Sequence, residues 1–270
     1  IKKLIKLLLP EAILTKIIRP QICYQGDFTS WSDALKACDG YDADNIIEKV
    51  RDAAMKVKNG EAAYERDSMT FDRLEHDEPL AEILLQAAEE NNGVLKVLDF
   101  GGSLGSLYFQ HRDLFTGLQE VIWCVVEQGK FVKYGKADFE DEHLKFRYTI
   151  ETACEEFDFN VLLLGSVLPY IEKPYELITS LKQLPVDYMV ITRTPVFVDG
   201  GDDRLTVQKV PEVIYDASYP AWFFPENKLI RAFEPEFNLI SELGSIRHDI
   251  LLGNPDAIAV EKGYILRKDK

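Results

Sequence analysis

The residues best suited to chemistry follow an apolar run that begins at Val94. The run ends in Asp99, turns through glycines and resumes with helical character. A strand that turns through glycines into a helix presents free backbone N–H groups and the positive end of the helix dipole. An adenosine-containing cofactor can bind at such a turn, at the carboxyl edge of a parallel sheet. The candidate cofactor-binding residues here are Asp99, Gly101, Gly102, Ser103 and Gly105.

The residue types in this turn favour a cationic ligand over a pyrophosphate. A dinucleotide fingerprint reads G-x-G-x-x-G, and counting from Gly101 it fails at Ser103 and at Ser106. Asp99 would also meet a pyrophosphate with like charge. A carboxylate is instead matched to an ammonium or a sulfonium group.

A second acid closes the next apolar run. Val121–Val126 reads as a strand and is followed by Glu127 and Gln128. A carboxylate has two acceptor oxygens, which suit the two hydroxyls of a ribose.

In this order, the motifs resemble those of class I S-adenosylmethionine-dependent methyltransferases. Their first motif, acid-x-Gly-x-Gly-x-Gly, matches residues 99–105 with Ser103 in place of the middle glycine, and their second is the acid matched by Glu127. Residues 157–171 are similar to their fourth motif, which borders the methionyl group and here contributes Gly165 and Ser166. The resemblance covers residues 80–267. It implies that the cofactor is S-adenosylmethionine. The residues that the resemblance assigns to it are Asp99, Gly101, Gly102, Ser103, Gly105, Glu127, Gln128, Gly165 and Ser166.

A narrower resemblance is to a bacterial group of methyltransferases found among surface-polysaccharide genes. It implies O-methylation of a sugar or another small or glycan-linked molecule. The stretches that carry it are Gly26-Asp27-Phe28 with Trp31, Gly40-Tyr41, Tyr64-Glu65-Arg66-Asp67, Asp99-Phe100-Gly101-Gly102 and Tyr219-Pro220-Ala221-Trp222.

Motifs that are missing narrow the chemistry. No Asn/Asp-Pro-Pro-Tyr follows the predicted fourth strand, Val161–Leu164, and no Pro-Cys stands there, which disfavours methylation of a nucleic-acid base. Gly165-Ser166 supplies no carboxylate pair, and the four histidines lack ligand spacing. We therefore expect no metal site.

A hydroxyl acceptor benefits from a general base. The candidates are His248, Glu65 and Asp199, and His248 is favoured because the pKa of histidine suits the task. Arg66 and Arg193 are candidates to orient an anionic substrate. For each of these residues, a surface or structural role is the alternative.

Residues 196–232 are longer than an ordinary connection and are expected to serve function. They offer Asp199, Tyr219 and Trp222. Aromatic faces and carboxylates together suit a sugar, whose C–H faces stack and whose hydroxyls need acceptors. Packing of the aromatic side chains in the core is the alternative.

The elements that must position these residues alternate between strand and helix from Val94 onward. This rhythm predicts an α/β, Rossmann-like class I methyltransferase fold, with a seven-stranded, mostly parallel sheet and helices on both faces. The third strand is expected at Lys145–Ile150. Residues 21–78 are predicted to form a helical cap, residues 79–270 the methyltransferase domain, and residues 1–20 a basic amphipathic segment.

Charge restricts the partners. The net charge of −15 makes binding to a nucleic-acid backbone unfavourable. Residues 1–20 carry five basic residues and one acidic residue, so their net charge is +4. Residues 1–19 can dock on the protein's own surface or lie on an anionic membrane face. The four cysteines form no C-x-x-C pair, which favours reduced thiols and therefore a cytoplasmic protein. If residues 1–19 bind the membrane, the protein would be peripheral at its inner face.

Two other functions remain open from the sequence. One is an NAD-dependent oxidoreductase built on a similar sheet. The other is a non-catalytic partner, with the methyltransferase fold, in a polysaccharide-synthesis complex.

Overall fold

The computed structural model of the chain describes residues 22–38, 43–211, 217–244, 250–251 and 258–269. The strands are β1 (Cys23–Phe28), β2 (Tyr64–Arg66), β3 (Met69–Phe71), β4 (Val94–Phe100), β5 (Glu120–Val126), β6 (Leu144–Arg147), β7 (Val161–Gly165), β8 (Tyr188–Phe197), β9 (Arg204–Val210), β10 (Ala217–Pro225), β11 (Phe237–Leu243), β12 (Ile250–Leu251) and β13 (Ile258–Lys268). The α-helices are α1 (Trp31–Lys36), α2 (Ala43–Lys58), α3 (Glu78–Glu90), α4 (Ser106–His111), α5 (Gly129–Tyr134), α6 (Ile150–Glu156), α7 (Pro174–Leu181) and α8 (Glu226–Arg231). Short 3₁₀ or π turns follow at Arg112–Phe115, Gly135–Phe139 and Leu168–Tyr170.

Seven strands form the predicted central sheet, in the order β6-β5-β4-β7-β8-β13-β11. Strands β4 to β8 pair in parallel with their neighbours, whereas β13 is antiparallel to both β8 and β11. The prediction of a seven-stranded, mostly parallel sheet is therefore confirmed. In the described part of the chain, four more strands extend this sheet to eleven.

Alternation along the strands separates two hydrophobic cores, one on each face of the sheet. Leu95 and Val97 of β4 pack against the helices α2, α3 and α4. Leu98 of the same strand points the opposite way, into a core that includes side chains of α6, α7 and α8. A strand flanked by helices on both faces is apolar on both sides, which explains the continuous apolar runs in the sequence.

The helix ends follow from local capping. Asp77 accepts a hydrogen bond from the backbone N–H of Leu80 at the start of α3. Thr149 accepts one from the backbone N–H of Thr152, so that α6 begins at Ile150. The third strand accordingly ends at Arg147, and the prediction that it runs to Ile150 is wrong because Thr149 caps a helix there.

The described part of residues 196–232, which leaves out 212–216, consists mostly of strands and one helix. Strand β8 continues to Phe197, β9 and β10 form an antiparallel pair, and α8 follows. Strand β10 joins the sheet beside the end of β8, and β1 adds to the outer side of β9. Long antiparallel pairing satisfies the backbone groups that a loop of this length would leave exposed.

The region predicted as a helical cap contains two helices, α1 and α2. The hydroxyl of Ser30 caps α1 by accepting the backbone N–H of Asp33. The same region also contains β1 and the β2–β3 hairpin, which the sequence did not predict. Because β1 pairs with β9, a purely helical description of residues 21–78 is incomplete.

Among the described residues, no helix has the length and apolar character needed to cross a bilayer. The basic segment of residues 1–20 lies outside the described residues.

Candidate functional site

The turn after β4 is built from backbone conformations that glycine adopts most easily. Gly101 has φ +78°, Ser103 has φ +56° and Gly105 has φ +87°. These are the three glycine positions of the first methyltransferase motif. Ser103 reaches the left-handed conformation despite its Cβ, at a cost of about 1–2 kcal/mol. The substitution of serine therefore preserves the shape of the turn.

Gly102 is required for space and not for its backbone angle. A Cβ placed on it would lie 2.3 Å from Oδ2 of Asp99. The turn thus packs its backbone directly onto this carboxylate, and any larger residue at position 102 would displace one or the other.

Asp99 is completely buried at the end of β4. Its Oδ2 accepts a hydrogen bond from the indole Nε1 of Trp123 at 2.9 Å. Its Oδ1 is buried and has no hydrogen-bond partner among the described residues. Burial raises the pKa of Asp99 to about 7, opposed by the Trp123 hydrogen bond and aided by the nearby charge of Glu127. A buried carboxylate with a vacant acceptor is suited to bind a cation.

Glu127 lies at the end of β5 beside this turn. It accepts the backbone N–H of Gln128 at 2.6 Å and a backbone hydrogen bond from Ser103. Burial raises the pKa of Glu127, while these two hydrogen bonds lower it. The carboxylate is therefore held against the glycine turn by backbone contacts from two consecutive strand ends.

A cavity of about 570 Å³ opens at the carboxyl ends of β4 and β7 and beside Thr192 and Arg193 in the middle of β8. The central sheet and the turn after β4 form one side, the β2–β3 hairpin another, and strands β1, β9 and β10 a third. Its polar lining includes Tyr24, Glu65, Arg66, Asp67, Ser68, Asp77, Asp99, Ser103, Ser106, Gln110, Ser166, Tyr170, Thr192, Arg193, Gln208, Tyr219, Glu261 and Lys262.

Glu65 projects into this cavity from β2 and is only 4% exposed. Its carboxylate accepts the hydroxyl of Ser106, the first residue of α4, and the backbone N–H of Ser68 at 3.2 Å. Burial raises the pKa of Glu65, and the Ser106 hydrogen bond lowers it. A single side chain thus joins the hairpin to the helix that follows the glycine turn.

Arg193 lies in β8 directly after Thr192, the last residue of β8 that pairs with β7, and has φ +46°. Its Nη1 lies 3.2 Å from Oδ2 of Asp67, in the hairpin turn where Asp67 and Ser68 also have positive φ. Non-glycine residues in this conformation are strained and persist where other contacts enforce it. The ion pair is a second connection between the hairpin and the end of the sheet.

A row of polar side chains covers the cavity from the antiparallel strands. Tyr24, Gln208 and Tyr219 lie directly opposite one another on β1, β9 and β10. The Gln208 amide is 3% exposed; its Oε1 accepts the Tyr170 hydroxyl at 2.9 Å, and its Nε2 donates to the Tyr219 hydroxyl at 3.3 Å. The Tyr170 and Tyr219 rings meet edge to face at 5.2 Å. Both functional groups of the amide are therefore fixed.

The structure brings most of the candidate residues together. Those that line the cavity are Glu65, Arg66, Asp99, Gly101, Gly102, Ser103, Gly165, Ser166, Arg193 and Tyr219. Gly105, Glu127 and Gln128 lie beside the same turn and outside the cavity lining. His248 falls outside the described residues, so its proposed role as general base stays a prediction.

Two candidates for substrate contact lie elsewhere. Asp199 is exposed in the turn between β8 and β9, away from the cavity lining. Trp222 lies on the face of β10 opposite Tyr219 and stacks on Trp31 of α1 at 6.4 Å. Its indole packs in the hydrophobic core, so the core alternative applies at this position.

Several lining residues were not found from the sequence, including Tyr24, Asp67, Ser106, Tyr170, Gln208 and Glu261. Tyr170 lies within residues 157–171 and Asp67 within residues 64–67, two stretches that carry the resemblance to methyltransferases, so these motifs could have indicated both residues. Gln208 carried no signal, because its position depends on a pairing between β1 and β9. Within the described ranges, no group of three His, Cys, Asp or Glu side chains is arranged to hold a metal ion.

Known proteins similar to this chain were found among solved structures and not among family models or curated sequences. No family model matches the sequence, and no curated protein sequence matches it. The N-terminal domain of EvdMO1, crystallised in the presence of SAH and D-fucose, is 12% identical, with 85% of this chain and 98% of that chain covered and a TM-score of 0.50.

Two further similar structures are methyltransferases by name. One is magnesium protoporphyrin IX methyltransferase (ChlM) from Synechocystis PCC 6803 with bound SAM. It is 12% identical, the alignment covers 72% of this chain and 79% of that chain, and the TM-score is 0.45. The 1,6-didemethyltoxoflavin-N1-methyltransferase of Burkholderia thailandensis is 15% identical, covers 94% and 98%, and has a TM-score of 0.46. This chain has the Rossmann-like fold of class I methyltransferases.

Proposed function

We propose that this protein is an S-adenosylmethionine-dependent methyltransferase that methylates a hydroxyl oxygen of a small acceptor. The observation that carries the proposal is the buried Asp99 carboxylate, whose Oδ1 lacks a partner among the described residues at a turn of three left-handed residues. An acid in this position is unsuited to a pyrophosphate and suited to a cation.

The residues at the turn fit the cofactor. Asp99 would bind the ammonium group, directly or through water, and Glu127 would accept hydrogen bonds from the two ribose hydroxyls. Gly165 and Ser166, at the end of β7, would border the methionyl part. The cofactor supplies a methyl group that its sulfonium already activates, so the protein needs mainly to orient the acceptor.

The acceptor would lie in the cavity beside Glu65. An acceptor hydroxyl must lose its proton as the new carbon–oxygen bond forms, and the Glu65 carboxylate can take that proton. Burial raises the pKa of Glu65, which makes its ionised form a stronger base. The Tyr219 and Tyr170 hydroxyl oxygens can accept hydrogen bonds from further hydroxyls of the acceptor, and the Arg193 cation can donate to one of its oxygens.

A sugar-type acceptor in surface-polysaccharide synthesis is the finer form of this proposal. It is supported by the aromatic and hydrogen-bonding side chains that converge from β9, β10 and the turn after β7. Because the EvdMO1 domain shares this fold and was crystallised with SAH and D-fucose, D-fucose is a reasonable first acceptor to assay. We further propose that the work is done in the cytoplasm, with residues 1–19 as a peripheral membrane contact.

Thermal unfolding in the presence of each cofactor tests the proposal against an NAD-dependent oxidoreductase. We expect SAH to raise the melting temperature and NAD to leave it unchanged, since the like charges of Asp99 and a pyrophosphate repel. Stabilisation by NAD alone would refute the proposal. A non-catalytic partner that kept the fold would bind SAH and yet transfer no labelled methyl group to any hydroxylated acceptor.

A further inference from the structure

We infer that the acceptor is amphiphilic, with a hydroxyl-bearing end that lies deep in the cavity and an apolar part that lies at its mouth. This inference rests on the proposed function, because it takes the cavity as the acceptor site.

Of the four exposed side chains that the described residues contribute to the cavity lining, three are apolar, and the fourth, Asp67, is charged and pairs with Arg193. Ile22, Met69 and Phe71 all line it, and they are 42%, 50% and 38% exposed. Large apolar side chains that are exposed singly need no explanation, but a group of them around one opening marks a binding surface. An apolar ligand part would shield these side chains from water.

Several buried side chains that line the cavity are polar, beside the buried apolar Leu80, Val210 and Leu243. Glu65 is 4% exposed, Gln208 is 3% exposed and Asp99 is completely buried. The two groups of residues line one continuous space, so the difference in exposure orients the ligand. A hydroxylated group meets Glu65 and Gln208 inside, and whatever extends outward meets Met69 and Phe71.

Two of the exposed apolar side chains are also held in place. Met69 and Phe71 lie on β3, which pairs with β2 so that Met69 is opposite Arg66 and Phe71 opposite Tyr64. The Phe71 and Tyr64 rings stack at 4.6 Å with an interplanar angle of 5°. The hairpin is fastened to the body by the Ser106–Glu65 hydrogen bond and the Arg193–Asp67 ion pair. A preformed apolar surface loses little conformational entropy when a ligand binds.

A small amphiphile fits this space better than a protein segment does. The cavity volume of about 570 Å³ lies within the range of small-molecule sites, roughly 300–1,000 Å³. Asp99, Gly101 and Gly165, assigned above to the cofactor, line the same cavity, so the acceptor takes only part of that volume, as a head group of sugar size with a short alkyl or aromatic part can. A matched control surface exists on β11, where Leu239 and Ile240 are 37% and 49% exposed and lie outside the cavity lining.

Fluorescence of the neutral apolar probe N-phenyl-1-naphthylamine tests the inference on the full chain. We expect the wild-type protein to bind the probe, and the Met69→Gln/Phe71→Gln variant to bind it at least fivefold more weakly. Leu239→Gln/Ile240→Gln should bind it as the wild type does. Octyl glucoside should displace the probe from the wild-type protein, whereas methyl glucoside at the same concentration should not.

Four outcomes would overturn the inference: no binding of the probe to the wild type, equal weakening in both double variants, failure of octyl glucoside to displace it, or a gain of fivefold or more in Leu7→Asp/Leu8→Asp. The last result would mean that the chain's own amino-terminal segment covers the mouth. Circular dichroism of each variant separates loss of the patch from loss of the fold. Probe binding needs no cofactor, so it tests this inference alone. The proposed function is tested separately, by SAH binding.

Discussion

The indole Nε1 of Trp123 donates a hydrogen bond to Oδ2 of Asp99, from one strand to its neighbour, at 2.9 Å. The two residues lie diagonally on the same face of β4 and β5, since Val97 is paired with Trp123 and Asp99 with Val125. This contact fixes Oδ2 and leaves Oδ1 buried without a hydrogen-bond partner among the described residues. The cofactor proposal therefore depends on a carboxyl group whose orientation is set by a core tryptophan.

Cofactor binding should depend on pH through Asp99. Burial raises the pKa of Asp99 to about 7, so the carboxyl is neutral below that pH and ionised above it. A cationic ligand prefers the ionised form, and its affinity should fall by about tenfold per pH unit below the pKa. Calorimetric titrations with S-adenosylmethionine between pH 5.5 and 8.5 measure this dependence. Asp99→Asn should bind weakly with a flat profile; a flat profile in the wild type would contradict the assignment.

The same carboxyl should lower the stability of the protein without ligand as pH rises. The folded-state pKa lies above the unfolded value, so the folded state binds more protons and stability is lost as pH rises toward 7. Asp99→Asn removes this charge. We expect its free energy of unfolding, relative to wild type, to increase by about 2–3 kcal/mol between about pH 5 and about pH 8. Urea denaturation at both pH values measures the difference, and a constant difference would show that Asp99 does not titrate in this range.

Gly102→Ala should abolish SAH binding. The added Cβ would lie 2.3 Å from Asp99 Oδ2, so the carboxylate or the turn must move. Gly200→Ala is the matched control, because Gly200 has φ +86° and open space around its Cβ position. The control should lose about 1 kcal/mol of stability and keep its SAH affinity. Equal affinities in the two variants would show that contact between the turn and Asp99 is dispensable.

Ser106→Ala should raise the pKa of Glu65. The Ser106 hydroxyl donates to the Glu65 carboxylate and stabilises its ionised form. Ser68→Ala is the control, since Ser68 donates through its backbone N–H and should leave the Glu65 pKa unchanged. Titration of the Glu65 carboxyl carbon by NMR distinguishes the two variants. An unchanged value in Ser106→Ala would remove Ser106 as the residue that positions Glu65.

Deletion of residues 1–19 should weaken binding to vesicles that contain anionic lipid and leave SAH affinity unchanged. The segment carries most of its charge as lysine, whereas the remaining 251 residues have a net charge of −19. Cosedimentation with vesicles of equal parts neutral and anionic phospholipid measures the effect. Equal binding by both forms would remove the proposed membrane contact.

The features that sequence reasoning could identify are local in the chain. Asp99, Gly101 and Glu127 could be predicted to lie together because a strand end, a turn and the next strand end follow one another within thirty residues. The parallel sheet followed from apolar runs between helices. These patterns need no knowledge of which distant segments meet.

The features that were missed depend on contacts between distant segments. Gln208 faces the cavity because β9 pairs with β1, nearly two hundred residues earlier in the chain. Trp222 was assigned to the substrate although it lies on the opposite face of its strand from Tyr219, and a strand's register decides which face is which. In the sequence, Ser106 was notable only as a position where the dinucleotide fingerprint needs glycine. Its hydrogen bond to Glu65 could not be predicted without knowing where the β2–β3 hairpin packs.

The most direct test of the account is calorimetric titration of the wild-type protein with SAH, alongside Asp99→Ala, Glu127→Ala and the exposed control Asp199→Ala. We expect one molecule of SAH to bind per chain in the wild type and in Asp199→Ala, and no measurable binding in the other two variants, all of which keep wild-type circular dichroism. Absence of SAH binding to the wild type, or unchanged affinity in both Asp99→Ala and Glu127→Ala, would contradict the account.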